Sequence, residues 1–458
     1  MISGAANRSV VVGLGKTGVS CVRHLAGRGI AVSATDTRTA PPGLADLGAL
    51  AQRIELRLGG LDLSLLEDAS QLVMSPGVSL EEPIAREARA RGIDVLGDVE
   101  LFAREVRAPE VAVTGTNGKS TVTTLVARMA EAAGRRVLAG GNLGEPALDL
   151  LEQPVPDLYV LELSSFQLET TRTLRLRAAA VLNVSADHLD RYASVAAYAR
   201  AKSRILLHAA NAVLNADDPL VMAMAPGAPA RFAPAGGAAA AVITFRVTPG
   251  DADFSLIREG AAVHLARRGV SLLDTARLKI GGLHNAANAL AALGVGEAAG
   301  LPLAPMLGAL EAFPGLPHRS QWVADAAGVR YVDDSKGTNV GATLAAVSGS
   351  SGPLVLIAGG EGKGQDFTPL AAAFRGKVRH CVLIGKDAAA LAAVLEGACP
   401  TERAASLADA VRAAQAAARP GDTVLLSPAC ASFDMFRDYR QRGDEFAALA
   451  RALAAGRP

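Results

Sequence analysis

The sequence predicts an α/β protein of three domains with mainly parallel sheets. Short apolar runs that end in Gly, Asp or Ser recur along the 458 residues, and a helix-like segment follows each of them. This alternation is typical of βαβ units and hence of parallel sheets. Two glycine-rich turns between a strand and a helix indicate two separate nucleotide-type units. Domain seams are predicted near 95–108 and near 312–318, where AFPGLPHRS has the Pro and Gly content of a linker.

The first domain is predicted over residues 1–98. Its apolar runs predict strands at 9–14, 30–35 and 71–75, and helical patterns lie at 17–28 and 81–91. The turn VVVGLGKTG carries the dinucleotide fingerprint G-x-G-x-x-G at Gly13, Gly15 and Gly18. A helix N-terminus after such a turn can hold a diphosphate, whichever nucleoside follows. Asp36 lies where an NAD enzyme would bind ribose.

The central domain is predicted over residues 99–314 and begins with a second glycine-rich turn, VAVTGTNGKST at 111–121. A Walker loop reads G-x-x-x-x-G-K-[ST], but Val113 stands at the position of the first glycine. The match is therefore either accidental or a shortened phosphate loop. Further strands are predicted near 158–163, 178–184 and 211–215, and the Ala-, Gly- and Pro-rich stretch 225–241 is predicted to be a loop or insertion.

The physics of phosphate binding favours the shortened loop. Gly115 and Gly118 free the backbone, so that successive N–H groups can face a phosphate at the start of a helix near Lys119. Lys119 would reach the β- and γ-phosphates, and the Ser120 hydroxyl would ligate Mg²⁺. If G-K-S-T occurred by chance, there would be no reason for a strand, a turn and a helix to be predicted around it in the order of a phosphate loop.

Oxygen ligands for a hard cation follow two of the central strands. Glu162 lies at the carboxyl end of the apolar run YVLEL, where open α/β sheets hold ligands. The stretch LNVSADHLD ends the next strand with Asn183, Asp187, His188 and Asp190. Because a buried, unpaired carboxylate is costly, we expect Glu162 to be functional, and His188 with it.

The third domain is predicted over residues 315–458. Its strand-like runs lie at 329–332, 353–358, 379–384 and 422–427, with Ala-rich helical segments between them. No short-period repeat occurs in the chain. The third domain is therefore predicted to be another α/β unit.

Composition and charge exclude several classes of protein. Half of the residues are hydrophobic and the net charge is +1, so neither nucleic acid nor an anionic membrane is expected as the main partner. No apolar span is long enough for a transmembrane helix, and no signal peptide is predicted. The cysteines Cys21, Cys381, Cys399 and Cys430 form no C-x-x-C pair and are expected to be reduced, buried thiols of a cytoplasmic protein.

Lysine is scarce in this chain. Only eight of the 46 basic residues are lysines, and arginine supplies most of the positive charge. A lysine is therefore expected where an amine is required, either as a point charge at phosphate or as a nucleophile that can be modified. Lys119 and Lys202 are two of the eight.

Seven stretches, in order along essentially the whole chain, resemble the Mur ligases of peptidoglycan synthesis. They are GTNGKST at 115–121, ELSSFQLE at 162–169, NVSADHLDRY at 183–192, HNAANALAA at 284–292, GLPHRSQ at 315–321, DDSKGTN at 333–339 and LLSPACASFDMF at 425–436. Four further stretches are similar to the member that adds glutamate: GLGKTG at 13–18, DTR at 36–38, SPGV at 75–78 and GGNLG at 140–144. One such motif alone would be weak evidence for the family, but so many motifs in the family's order are specific evidence.

The resemblance implies a fold and an activity. A Rossmann-like first domain would bind the UDP of a substrate, a central P-loop ATPase-type domain would bind ATP with two Mg²⁺ ions, and a Rossmann-like third domain would close over ATP. The implied reaction is ATP-dependent amide bond formation that adds D-glutamate to UDP-N-acetylmuramoyl-L-alanine through an acyl phosphate. The residues themselves do not fix the chirality of glutamate, and nothing in them requires more than a monomer.

The resemblance also implies roles for individual residues. ATP contacts are implied for Gly115, Thr116, Asn117, Gly118, Lys119, Ser120, Thr121, Asn285, Asn288, Arg319, Asp334 and Lys336. Contacts to the UDP-linked substrate are implied for Thr17, Asp36, Thr37, Arg38, Ser75, Asn142 and Ser164, and contacts to glutamate for Thr338, Lys363, Ser432, Phe433 and Tyr439. Lys119, Glu162, His188 and Lys202 would be catalytic. The implied metal ligands are Ser120, Glu162, His188 and Lys202, the last as a CO₂-derived carbamate.

Three alternatives are weighed against this interpretation. A dinucleotide-dependent oxidoreductase would explain G-x-G-x-x-G and Asp36, but it leaves the G-K-S-T loop unexplained. A ligase that adds another amino acid, or a folylpolyglutamate synthetase, would share the central motifs, but Asp36–Arg38 and Ser432–Phe433 favour glutamate. A non-catalytic nucleotide-binding or scaffold protein would not need Lys119, Glu162, His188 and Lys202 together.

Overall fold

The computed structural model describes residues 8–226, 240–350 and 352–456. Within these ranges the chain forms three sheets, of five, nine and six strands, with helices between the strands. The predicted α/β class with mainly parallel sheets is confirmed. The predicted loop at 225–241 lies mostly outside the described residues.

The first sheet is built by the N-terminal part of the chain. Its elements are β1 Arg8–Val12, α1 Lys16–Gly27, β2 Ala31–Asp36, β3 Glu55–Leu58, β4 Gln71–Met74, α2 Pro83–Ala90, β5 Asp94–Leu96 and α3 Asp98–Glu105, with 3₁₀ segments at Ala45–Gln52 and Leu63–Leu66. The five strands are parallel and run in the order β3-β2-β1-β4-β5. The strand order therefore reverses at β1, which leaves a ligand crevice at the carboxyl ends of β1 and β4.

The central sheet is the largest. Its elements are β6 Glu110–Thr114, α4 Lys119–Ala132, β7 Val137–Gly141, α5 Ala147–Leu150, β8 Leu158–Glu162, α6 Ser165–Glu169, β9 Ala178–Val181, α7 Val195–Ser203, β10 Asn211–Asn215, α8 Pro219–Met222, β11 Ala241–Phe245, β12 Phe254–Glu259, β13 Ala262–Arg267, β14 Val270–Asp274, α9 Leu283–Ala298 and α10 Leu303–Ala312, with 3₁₀ turns at Arg204–Leu206 and Thr275–Arg277. The order is β14-β13-β12-β11-β10-β9-β6-β8-β7. Strand β6 leads into the phosphate loop and lies between β8 and β9, so their carboxyl ends meet at one edge.

The third sheet belongs to the C-terminal part of the chain. Its elements are β15 Gln321–Ala326, β16 Val329–Asp333, α11 Val340–Gly349, β17 Leu354–Gly359, α12 Thr368–Phe374, β18 Val378–Ile384, α13 Ala388–Leu395, β19 Thr401–Arg403, α14 Leu407–Ala417, β20 Thr423–Leu426 and α15 Tyr439–Ala454. The order is β15-β16-β20-β17-β18-β19, and only the edge strand β15 is antiparallel to its neighbour.

Burial explains why the central strands are near-continuous apolar runs. All residues of β6, β8 and β9 are buried, as is typical of parallel strands covered on both faces. One apolar cluster extends from the first sheet into the central sheet. At that seam the ring of Phe102 in α3 meets the ring of Tyr159 edge-on, with centroids 5.3 Å apart. The first and central sheets therefore share a packed core.

The antiparallel strands were not predicted. Strands β12, β13 and β14 pair as a meander, and their residues are mostly half-buried or exposed. Their apolar runs are short and interrupted by charged residues, so they lack the continuous hydrophobicity of a buried strand. Gly260 and Gly269, both with positive φ, form the two tight turns between them.

No helix of the described ranges has the length and apolarity needed to cross a membrane.

Replacing Glu110 with glutamine should stabilise the protein increasingly as pH rises. This residue at the start of β6 is 5% exposed, its Oε2 atom has no hydrogen-bond partner among the described residues, and burial raises its pKa from 4.5 to about 8. Below pH 4.5 both folded and unfolded carboxyls are protonated; between the two pKa values only the unfolded state releases its proton. Stability is thereby lost at about 1.4 kcal/mol per pH unit up to pH 8.

Thermal unfolding midpoints at pH 5 and pH 8, followed by circular dichroism, measure this effect. The advantage of Glu110→Gln over the parent should grow between the two pH values. Glu131→Gln, an exposed position on α4, serves as control and should show no such growth. A pH-independent difference for Glu110→Gln would contradict the assignment of a buried, neutral carboxyl.

Candidate active site

Three adjoining cavities lie at the carboxyl ends of the strands. The first cavity, of about 640 Å³, is at the switch point of the first sheet and is lined by Gly13, Asp36 and Ser75. The central cavity, of about 440 Å³, is lined by residues of the central and C-terminal parts of the chain and contains Lys119 and Glu162. The outer cavity, of about 350 Å³, lies between the central and third sheets. Asn142 lines both the first and central cavities, which therefore lie next to each other.

The phosphate loop occupies residues 115–118, and α4 begins at Lys119 as the sequence predicts. Gly118 has φ +85°, a left-handed backbone conformation that favours glycine. The Lys119 amine donates to the carbonyl oxygens of Gly115 (2.9 Å) and Thr116 (3.0 Å). Burial lowers the pKa of Lys119, and the nearby Arg319 lowers it further, whereas Glu162 opposes the shift. The amine is thus partly desolvated and held by weak neutral acceptors.

Lys202 and Glu162 are buried in the central cavity. Lys202, near the end of α7, is 1% exposed; its amine donates to the Gly115 carbonyl at 2.8 Å and lies 4.3 Å from the centre of the Tyr198 ring. Burial and the neighbouring Lys119 lower the pKa of Lys202 well below its usual value. Glu162 is 2% exposed, and its Oε1 atom accepts from Asn142 Nδ2 at 2.6 Å. Oε2 of Glu162 has no hydrogen-bond partner among the described residues.

His188 lines the same cavity in a strained backbone conformation. Its φ is +55°, which is uncommon for a residue other than glycine. The imidazole packs edge-on against Phe166, with ring centres 4.9 Å apart, and burial lowers its pKa. Asp187 beside it accepts from Asn339 and lies 3.5 Å from the Lys363 amine. Asp190 from the same stretch is exposed and lines none of these cavities.

The outer cavity collects the polar residues predicted on α9. Asn285 and Asn288 both line it, and the Asn288 amide donates to Asn285 Oδ1 at 3.2 Å. Thr121 and Asp334 also line it. The Asp334 carboxylate accepts from Ser427 Oγ at 2.8 Å, and burial raises its pKa to about 7.

The third sheet contributes cations and hydroxyls to the central cavity. Arg319 donates to the Ser120 hydroxyl at 2.7 Å, so the C-terminal part of the chain contacts the first turn of α4, directly after the phosphate loop. The Lys336 amine lies 4.2 Å from the centre of the Tyr439 ring, and burial together with Arg319 and Lys119 lowers its pKa to about 8. The remaining predicted residues of this part also line the cavity: Thr338, Lys363, Ser432 and Phe433.

The first cavity contains every residue predicted to hold the UDP-linked substrate except Ser164, which lines the central cavity: Thr17, Asp36, Thr37, Arg38, Ser75 and Asn142. Asp36 is buried, and its two oxygens accept from Leu14 N, Arg38 N and the Arg38 guanidinium at 2.7–2.9 Å. These bonds lower the pKa of Asp36 to about 2, with Arg38 as the main cause. Because its oxygens are occupied, Asp36 shapes the turn and does not offer the free acceptor that a dinucleotide ribose would require.

Some residues of the site were missed in the sequence. Asn339 and Asn117 exchange two amide hydrogen bonds, at 3.1 and 3.2 Å, and join α11 to the phosphate loop. Asp333 is fully buried and accepts from Ser335 N and pairs with His318 Nδ1 at 2.7 Å, so it supports the loop that carries Lys336. Asn339 and Asp333 belong to the stretch DDSKGTN at the end of β16, and this position at a strand end was the sequence signal that could have identified them. Cys399 is only partly buried, which corrects the prediction of four buried thiols, although all four are free.

The donor set of the central cavity fits a hard cation. Among the described residues no three His, Cys, Asp and Glu side chains are gathered as a metal site, so a cation would also need hydroxyl and phosphate oxygens. Ser120 and Glu162 supply one hydroxyl and one unpartnered carboxylate oxygen in the same cavity. Such oxygen ligands suit Mg²⁺, which is usually held by few protein groups together with substrate phosphates.

Comparison with known proteins defines the class to which this fold and site belong. Three family models match consecutive parts of the chain: the MurD-like N-terminal domain of Mur ligases at residues 7–97, the Mur ligase middle domain at 113–296 and the Mur ligase glutamate ligase domain at 318–430. The chain belongs to the Mur ligase family.

Individual relatives and solved structures show which Mur ligases this chain is similar to. Proteins named UDP-N-acetylmuramoylalanine–D-glutamate ligase from Nitrosococcus oceani and Pseudomonas aeruginosa are 52% and 50% identical to this chain, covering 97% of it in each case and 96% and 98% of their own lengths. Among solved structures, MurF from Acinetobacter baumannii has TM-score 0.62 at 17% identity, covering 98% of this chain and 94% of its own. UDP-N-acetylmuramate-alanine ligase MurC from Thermotoga maritima has TM-score 0.60 at 19% identity, covering 97% and 99%. The structural likeness supports the three-part fold.

Proposed function

We propose that this chain is an ATP-dependent ligase that joins D-glutamate to UDP-N-acetylmuramoyl-L-alanine in the cytoplasmic synthesis of peptidoglycan precursors. The observation that carries the proposal is the central cavity, where cations from two parts of the chain surround Glu162. The near-full-length identity of about half with relatives of that name supports the choice of substrates. We infer a monomer with functional boundaries after residues 98 and 314.

The chemistry explains why ATP is required. A carboxylate oxygen is a poor leaving group, so the carboxylate of the UDP-linked substrate first attacks the γ-phosphorus of ATP and ADP leaves. The glutamate amine then attacks the acyl carbon and loses a proton, and phosphate departs as the amide forms. Two anions must approach in the first step, so catalysis is expected to come from positioning and charge neutralisation.

The cations of the cavity are placed for that neutralisation. Lys119, Lys336 and Arg319 all line it, and the two lysines have lowered pKa values because they lie in a buried, cationic environment. An incoming phosphate would give each amine a charged acceptor in place of a carbonyl or an aromatic ring. Asn285, Asn288, Thr121 and Asp334 in the outer cavity would hold the nucleoside.

Metal binding and lysine modification belong to this proposal. Ser120 and Glu162 would hold one Mg²⁺, and His188 would contribute to a second site; bound Mg²⁺ supplies charge neutralisation and orientation of the phosphates. The Lys202 amine is buried beside Lys119, and its partners among the described residues are a carbonyl and an aromatic ring. A carbamate there would turn this cation into an anion with two oxygen ligands, and would thereby offer a second Mg²⁺ site.

The two organic substrates would occupy different cavities. The first cavity would hold the UDP, with the α1 N-terminus and Thr17 at the diphosphate and Thr37 and Arg38 at the uracil end. Glutamate carries two carboxylates, which cationic and hydroxyl groups recognise. Lys363, Thr338 and Ser432 supply those groups, and Phe433 and Tyr439 flank them.

A phosphate-release assay tests the proposed function. With ATP, Mg²⁺ and UDP-N-acetylmuramoyl-L-alanine, release should depend on D-glutamate and be absent with L-glutamate or meso-diaminopimelate. Release with diaminopimelate alone would identify a different ligase. No release with either glutamate would overturn the proposal.

A further inference from the structure

Asp98 is a buried carboxylate that the proposed chemistry does not use. It is 1% exposed and begins α3 at the seam between the first and central sheets. Gly97 before it allows the close approach, since a Cβ there would collide with Thr170 Oγ1. Oδ2 of Asp98 accepts from Gln167 Nε2 at 3.0 Å, and Oδ1 has no partner among the described residues. Burying a carboxylate with a single side-chain hydrogen bond is costly, which indicates that this bond has a role.

That hydrogen bond supports, from outside α6, the orientation of the Gln167 amide that the Ser164 N–H also favours. A carboxylate can only accept, so Nε2 must face Asp98 and Oε1 must face the other way. There Oε1 accepts from Ser164 N (3.1 Å) and from Ser164 Oγ (3.2 Å), while Gln167 N donates to Ser164 Oγ at 3.2 Å. This is a capping box at the start of α6, with its glutamine oriented from outside the helix.

The orientation decides what Ser164 can bind. A serine hydroxyl has one proton and two acceptor lone pairs. Gln167 takes the proton through Oε1 and fills one lone pair through its N–H, so one acceptor position remains. Ser164 lines the central cavity and Gln167 lines the first cavity, so the capping box lies where the two cavities adjoin. The free lone pair accepts from an N–H or O–H group of a ligand and repels an anionic oxygen.

We propose that Asp98 is a positioning residue which orients Gln167, and through it Ser164, to accept a hydrogen bond from an N–H or O–H donor of the acyl substrate. This inference rests on the proposed function for the identity of that substrate. The orientation itself rests only on the contacts of Asp98, Gln167 and Ser164.

A second buried carboxylate on the same helix provides a matched control. Glu100 is fully buried and accepts from Arg172 N, Thr173 N and Thr173 Oγ1, so it docks α3 on the same segment of the central part. It makes no hydrogen bond to Gln167. A variant of Glu100 therefore disturbs the docking of α3 without removing the acceptor of the Gln167 amide.

Kinetics of Asp98→Leu, Asp98→Asn and Glu100→Leu separate positioning from docking. Asp98→Leu should raise KM for UDP-N-acetylmuramoyl-L-alanine about tenfold, the effect of one lost hydrogen bond, with KM for ATP unchanged. Asp98→Asn keeps an acceptor oxygen and should behave like the parent. Glu100→Leu should lower the unfolding temperature without that rise in KM. An equal rise in Glu100→Leu, or none in Asp98→Leu, would overturn the proposal.

Two further measurements keep the test decisive. If Asp98→Leu does not fold, Gln167→Leu removes the same amide and should raise the same KM; an unchanged KM would refute the proposal. A crystal structure of Asp98→Leu without substrate should show the Gln167 amide turned away from Ser164 N. An unmoved amide would refute the positioning role even if the ligase assay succeeds, and a moved amide supports that role even if the ligase assay fails.

Discussion

Replacing Lys119 with alanine is expected to lower the rate of phosphate release by about 10²–10³-fold, the range typical of losing one essential electrostatic contact. Within the described part of the chain its amine donates only to two carbonyl oxygens of its own loop, so little folding energy depends on it. The charged phosphates of ATP would be much stronger acceptors, and their attraction to the amine grows as charge develops in the transition state. Steady-state release with saturating D-glutamate measures the loss.

Lys279→Ala is the matched control for Lys119→Ala. Lys279 is exposed, and its amine makes only a 3.4 Å contact with the Ala312 carbonyl. It should therefore keep the parental rate within about twofold, as expected of a surface substitution. Comparable rates for Lys119→Ala and Lys279→Ala would remove the phosphate loop from the mechanism.

Replacing Lys202 with arginine should abolish most activity although the positive charge is kept. A guanidinium does not form a stable carbamate, and a larger, permanent cation beside Lys119 would repel Mg²⁺. We expect a loss of about 10²-fold or more, because an anionic group that would bind Mg²⁺ is replaced by a cation. Phosphate release gives the rate, and intact-protein mass in bicarbonate buffer gives the modification.

The mass spectrum distinguishes a carbamate from a simple packing role. The parent in bicarbonate should carry the mass of one added CO₂, and Lys202→Arg should not. Lys377→Arg, at a half-buried position outside the three cavities where the amine bonds the Ser348 carbonyl, should keep both the rate and the added mass. A parent without added CO₂, or a fully active Lys202→Arg, would rule out the carbamate.

The sequence predicted most of the parallel architecture because local chemistry dictates it. Buried strands such as β6 and β8 must be apolar throughout, and a phosphate turn needs glycine where φ is positive, as at Gly118. The meander β12–β14 was not predicted because half-buried antiparallel strands have a weaker hydrophobic sequence pattern. Its strands are stabilised by pairing with one another, which apolar runs alone do not reveal.

The site residues likewise separate into those with a local sequence signal and those whose roles depend on distant partners. Residues at strand ends, such as Glu162 and His188, could be predicted because such ends meet at one edge of a sheet. Asn339 and Asp98 could not, since their roles depend on partners 222 and 69 positions away in the chain. Asp36 illustrates a third case: its position suggested a ribose contact, but both its oxygens are engaged by Leu14 and Arg38.

The placement of the lysines has a consequence for chemical modification. Five of the eight line the first or central cavity, at positions 16, 119, 202, 336 and 363, whereas arginine dominates elsewhere. Guanidinium groups remain protonated and react poorly with acylating or aldehyde reagents. A reagent selective for uncharged amines therefore has few targets outside these pockets, and the protein could be labelled or crosslinked at its ligand sites without engineered handles.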